Sequence, residues 1–135
     1  MQNIASLGVD QILIQGDGYT FAASAGNDYF LRGGVAVDIE NNASAGTVFA
    51  APVVLNTGEV LVHGTNGTVT FNGVISGTGA LRVDGPTVEL GGSAANTYTG
   101  ATTLENGLLN LNKLPGVAAV PGALVIGHPV VGSPF

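Results

Sequence analysis

The sequence predicts an all-β chain folded as a parallel, three-sided β-solenoid of about five coils. Three observations predict it. Short apolar bursts return at intervals of about 21 residues in three interleaved series. Turn-forming pairs such as Asp17-Gly18, Asn66-Gly67, Asn72-Gly73, Asp84-Gly85 and Asn106-Gly107 stand between or beside the bursts. Glycine accounts for 22 of 135 residues, while charged residues make up only 9% against about 25% in ordinary globular chains.

The first series runs Leu13, Val37, Leu61, Leu81, Leu104, Val125; the second runs Phe21, Val48, Val69, Val88, Leu109, Val130. The third runs Leu31, Val54, Ile75, Tyr98, Val120. A fixed return of this kind means that each repeat is one unit stacked on its neighbours, with each series marking one side of the coil. Within bursts, side chains alternate: "VAVDIE" over 35–40, "VLVH" over 60–63, "TVTF" over 68–71 and "LRVD" over 81–84. Alternation sends successive residues to opposite faces, which places Val37, Ile39, Val60, Val62, Leu81, Val83 and Leu104 inside. The rival is a Greek-key sandwich, which also uses short strands and glycine turns. Its strands run longer and carry no constant three-beat period, so the solenoid is preferred. By length, residues 1–135 form a single domain.

Composition removes several function classes. Formal net charge is −6, and Arg32, Arg82 and Lys113 are the only cations. A phosphate-neutralising surface is missing, so no nucleic-acid partner is expected. Anionic lipid would repel the chain, and its most apolar stretch, 117–131, is broken by Pro121, Gly122, Gly127 and Pro129, so no membrane insertion is expected. Cysteine is absent, which removes disulfides, thiolate metal sites and cysteine nucleophiles together. The opening "MQNIASLGVD" lacks a basic region followed by an apolar run, so it does not read as a signal peptide.

Residues 72–113 resemble the autotransporter-associated β-strand repeat of bacterial autotransporter passengers. The resemblance is carried by Ile75-Ser76-Gly77-Thr78-Gly79, Leu81, Val83, Leu90, the block Asn96-Thr97-Tyr98-Thr99-Gly100, Thr102-Thr103 and Gly107 with the leucine-rich strand after it. Pro86-Thr87 departs from it, standing where the family keeps a simpler turn. Neither an export signal nor an outer-membrane barrel is present in the sequence, so the likeness is to the passenger repeat and not to a whole autotransporter. It implies a right-handed β-helix outside the cell, at or near a bacterial surface.

Candidate chemistry is sparse. Gly77-Thr78-Gly79 lacks the third glycine of a dinucleotide fingerprint, because position 82 is Arg82; a corner turn accounts for it. His63 and His128 have no nucleophile-elbow pattern to serve, and both read as exposed and non-functional. Asp38, Glu40, Glu59, Asp84 and Glu105 all belong to the first series. Stacked in register they make an outward acidic ridge interrupted by Arg82. Such a ridge keeps an apolar rod soluble; as a site it offers weak calcium binding, and these five residues are the metal candidates. Carbohydrate-cleaving β-helices also place carboxylates on one face, which makes a polysaccharide-binding or polysaccharide-cleaving helix the alternative reading. The pairs Thr68-x-Thr70 and Thr97-x-Thr99 fall in different series, so they form no flat ice-binding array. Asn96 sits beside a corner, where asparagines are able to stack from coil to coil as a ladder.

The expected function is therefore structural: a surface-display rod or a fibre subunit, with no catalytic residues, no cofactor and no enzymatic activity. A solenoid ends in unpaired strand edges, and neither end of this sequence offers a polar cap. Head-to-tail self-association through the terminal coils is expected, with a surface polysaccharide as a further partner.

Overall fold

The computed structural model describes residues 6–22 and 28–127. Among these there is no helix; the chain forms β1 (Ser6–Val9), β2 (Gln11–Ile14), β3 (Thr20–Phe21), β4 (Asp28–Asn41), β5 (Thr47–Phe49), β6 (Val53–His63), β7 (Thr68–Phe71), β8 (Ile75–Gly77), β9 (Ala80–Leu90), β10 (Thr102–Leu111) and β11 (Leu124–Ile126). Every strand pairing is parallel. Antiparallel hairpins, which a sandwich requires, do not occur among the described residues. The fold is a parallel β-solenoid.

Three ladders build it, one for each predicted series. The first stacks β2, the ends of β4 and β6, the starts of β9 and β10, and β11. Val37, Val60, Leu81, Thr102 and Leu124 are consecutive partners in it, as are Ile12, Ile39, Val62, Val83, Leu104 and Ile126. The second ladder stacks β3, β5, β7 and the ends of β9 and β10. The third stacks β1, the starts of β4 and β6, and β8. Backbone bonds extend it past the regular strands: Thr97 and Thr99 N–H donate to the Ile75 and Gly77 carbonyls, and Asn96 N–H donates to Ala118. Residues 28–111 thus complete four consecutive three-sided coils, with β1–β3 stacked on one side and 118–126 on the other, close to the five coils expected.

Alternation decides what is inside. Ile39, Val60, Val62, Leu81 and Val83 are buried as expected, and Leu104 is partly buried against the same core. The Val37 side chain lies outside the described residues, although its backbone shares a ladder with Val83. On the second face Phe21, Phe49 and Phe71 stack ring on ring, with centroids 4.7 and 5.0 Å apart and planes within 15°. Leu90 and Leu111 continue that column. Burying Phe49, Phe71 or Leu90 contributes on the order of 1.5–3 kcal/mol each, whereas Leu111 at the end of the column is exposed.

Long strands turn the corners through glycine. Among the described residues every positive φ belongs to glycine. At the corner between the first and second ladders, Gly64 (φ +137°) lies over Asn41, and Gly85 (φ +117°) lies over Gly64. A Cβ on Gly64 would stand 1.9 Å from the Asn41 carbonyl oxygen. Only glycine allows both the conformation and the close approach of one coil's backbone to the next.

Candidate functional site

The acidic residues of the first face do not stack on one another. Asp38 neighbours Leu61, Glu40 neighbours Leu13 and His63, Glu59 neighbours Ala36 and Ala80, and Asp84 neighbours His63 and Asn106. The expected ridge is therefore a mixed outer row. The correction has a plain geometric cause: members of one series fall a residue or two out of step, and alternation then assigns them to different columns.

Arg82 organises the centre of this row. Its guanidinium donates from Nη1 to Glu59 Oε1 at 3.2 Å and from Nη2 to Glu105 Oε2 at 2.5 Å. These partners lie 23 residues before and after it, so one side chain ties three successive coils together. Glu105 stands at the register irregularity between Leu104 and Asn106, and its side chain is only 3% exposed, against 37% for Glu59. The sequence places Glu105 on an outward ridge; the irregularity instead folds it under Arg82. Its hydrogen bonds to Glu105, and then to Glu59, raise the Arg82 guanidinium above its ordinary value. The row is thus an ion-pair brace within a largely apolar rod.

Glu40, Asp84 and Asp17 also hold neighbours. Glu40 Oε1 accepts from Asn42 Nδ2 at 2.7 Å and Asp84 Oδ1 accepts from Asn106 Nδ2 at 2.7 Å. Asp17 Oδ1 accepts the backbone N–H groups of Ser44 and Ala45 at 2.6 and 2.9 Å. Among the described residues no group of three or more His, Asp or Glu side chains is placed to hold a metal ion. His63 occupies the mixed row between Glu40 and Asp84, with its Nε2 buried, not exposed as expected, and unpartnered. His128 lies outside the described residues.

Asn96 is buried but heads no ladder. Its Oδ1 accepts the Ile75 N–H at 2.9 Å and its Nδ2 donates to the Ala119 carbonyl at 2.8 Å. It is a single clip across three coils, because the ladder neighbours at its level are Ile75 and Ala118–Ala119, not asparagines. Gly77-Thr78-Gly79 is a corner: Gly77 (φ +102°) packs on the Leu55 carbonyl and Thr78 Oγ1 donates to the Asn56 carbonyl at 2.6 Å. Thr68 and Thr70 belong to the second ladder, whereas Thr97 and Thr99 bond in the third.

The ends of the stack differ from its sides. At one end Leu13 and Tyr19 are 51% and 53% exposed, beside a shallow depression lined by Leu13, Ile14, Gln15, Gly16, Tyr19 and Phe21. At the other, Leu124, Val125 and Ile126 of β11 are exposed, with Ile126 at 74%. Leu108, Leu111 and Leu114 are exposed near the same end. No signal in the composition separates these residues from core residues; only their place in the stack does.

Compared with known proteins, the chain matches no family model, no curated protein and no solved structure. Among the described residues no helix is long and apolar enough to cross a membrane.

Proposed function

We propose that this chain is a structural module, a β-solenoid rod displayed outside a bacterial cell that joins end to end with copies of itself and carries no enzymatic activity. The observation that supports this reading is the contrast between sides and ends. Arg82, Glu59, Glu105, Asp84 and Asn106 of the outer row are engaged with one another across coils, whereas exposed apolar side chains gather at the ends of the described stack. The extracellular and bacterial part rests on the resemblance of residues 72–113 to the passenger repeat. A polysaccharide-acting helix is the weaker reading: Arg82 occupies Glu59 and Glu105, and Phe49, Phe71 and Tyr98 are buried, which withdraws their rings from sugar stacking.

Negative-stain microscopy with light scattering tests the proposal. Rods or filaments whose length grows with protein concentration are expected. A monodisperse monomer at high concentration overturns self-assembly, and turnover of an acidic polysaccharide that is lost in Asp84→Asn or Glu105→Gln overturns the non-enzymatic reading.

A further inference from the structure

The open edges of β2 and β11 belong to the same ladder. Among the described residues β2 pairs only with β4, and β11 pairs only with β10. Among the described residues these strands stand at opposite ends of one stack, and each has one row of backbone N–H and C=O groups with no strand partner among them.

Their side chains continue the same columns. Ile12, Ile39, Val62, Val83, Leu104 and Ile126 follow one another inward. Ile39, Val62 and Val83 are wholly buried, while Ile12 and Leu104 are partly buried and Ile126 is 74% exposed. The outward column runs Gln11, Asp38, Leu61, Arg82, Thr103, Val125 in the same ladder. A strand laid on β11 with the alternation of β2 buries Ile126 under an isoleucine and keeps polar Gln11 in the outer column.

Edge strands ordinarily carry guards against such pairing: a lysine, a proline, a bulge or an inward charge. Neither "QILI" of β2 nor "LVI" of β11 has any of these. The third ladder allows the same continuation, since β1 at its start pairs only with β4 among the described residues. A second copy is the partner whose cross-section repeats these faces together.

We infer that copies join in a fixed register, with β2 of one copy pairing in parallel on β11 of the next, Gln11 beside Val125 and Ile12 over Ile126. This deepens the end-to-end reading proposed above and rests on it. The contact is heterologous: one copy's β11 edge meets another's β2 edge. Repetition therefore extends a filament and does not close a dimer.

The absence of cysteine makes the register directly testable in the full chain. Neighbouring parallel strands lie about 4.8 Å apart, inside the Cα separation of roughly 4.4–6.8 Å that a disulfide spans. The double variant Gln11→Cys, Val125→Cys, oxidised mildly and run on a non-reducing gel, is expected to give a ladder of covalent multimers. Each single variant is expected to give no multimers beyond background. A second double variant, Gln11→Cys with Thr103→Cys, is expected to stay monomeric on the gel because β11 covers Thr103.

Efficient dimers from Val125→Cys alone would overturn the register in favour of a tail-to-tail pair. Multimers from Gln11→Cys with Thr103→Cys would overturn it in favour of displacement of β11. Filaments in the microscope without cross-linking of the Gln11 and Val125 pair would overturn the register while leaving end-to-end assembly standing. Absence of both assembly and cross-linking would overturn the two together.

Discussion

The Tyr98 hydroxyl meets Thr102 Oγ1 at 2.5 Å inside the core, four residues along the chain and across a corner of the same coil. Tyr98 is 1% exposed and Thr102 is fully buried. Thr102 occupies a column filled by Val60 and Leu81 in the two preceding coils. A polar residue fits there because the phenol satisfies it.

Tyr98→Phe leaves that threonine hydroxyl buried without its partner and is expected to lower stability by about 1–3 kcal/mol. Urea unfolding measures it. Burial raises the phenol above its ordinary 10.0, and the bond with Thr102 offsets part of that rise. The unfolded chain therefore releases this proton first as pH passes about 10, and the folded state loses stability through that window; below it the contribution is constant. Lys113, lowered by burial from 10.5, acts with the opposite sign. The difference between parent and Tyr98→Phe isolates the tyrosine: the alkaline loss is expected to be smaller in the variant.

Asn96→Ala removes an acceptor from the Ile75 N–H and a donor from the Ala119 carbonyl. Leaving buried groups unpaired costs about 1–3 kcal/mol each, so a loss of roughly 2–6 kcal/mol is expected, with faster amide exchange at Ile75 as its local sign.

Gly64→Ala and Gly116→Ala separate two effects that positive φ usually merges. Gly116 has φ +80° and open space around its missing Cβ, so alanine there costs only the conformational term of about 1–2 kcal/mol. Gly64 adds a collision with the Asn41 backbone. The expected result in thermal unfolding is a small shift for Gly116→Ala and loss of the cooperative transition, or a far larger shift, for Gly64→Ala.

A double-mutant cycle of Arg82→Ala with Glu105→Ala is expected to give a coupling on the order of 1 kcal/mol or more, and the cycle with Glu59→Ala a smaller one. The Glu105 side chain is the more covered of the two, and exposed ion pairs are screened. Equal couplings in both cycles would contradict this.

Much of the fold is legible in the sequence because parallel stacking turns position into recurrence. Val60, Val62, Leu81 and Val83 are recognisable as inward members of one face, since the spacing repeats and alternation fixes the inward residue. The column of Phe49 and Phe71 is not read, because the second series is centred one and two residues earlier, on Val48 and Val69. The polar details are less legible. The irregularity between Leu104 and Asn106 shifts register inside one strand, which carries Glu105 from an outer ridge to a covered ion pair. Asn96 reads as one rung of a ladder, but its bonds go to backbone groups, which a residue pattern does not reveal. The exposed apolar ends are invisible to composition, because Ile126 and Val83 are chemically alike and differ in that a described coil lies beyond Val83 and none beyond Ile126.

The inter-coil hydrogen bonds set how a rod of this kind answers force. They point from coil to coil along the stack, roughly parallel to a pull applied between its two ends. Tension along that line loads the outermost strand first and peels it bond by bond, unlike the simultaneous shearing of strands pulled lengthwise past one another. Each released coil of about 21 residues pays out about 70 Å of extended chain. Under load such a stack is expected to yield like a reel in near-equal steps, with pauses at the three-coil brace of Arg82 and the clip of Asn96.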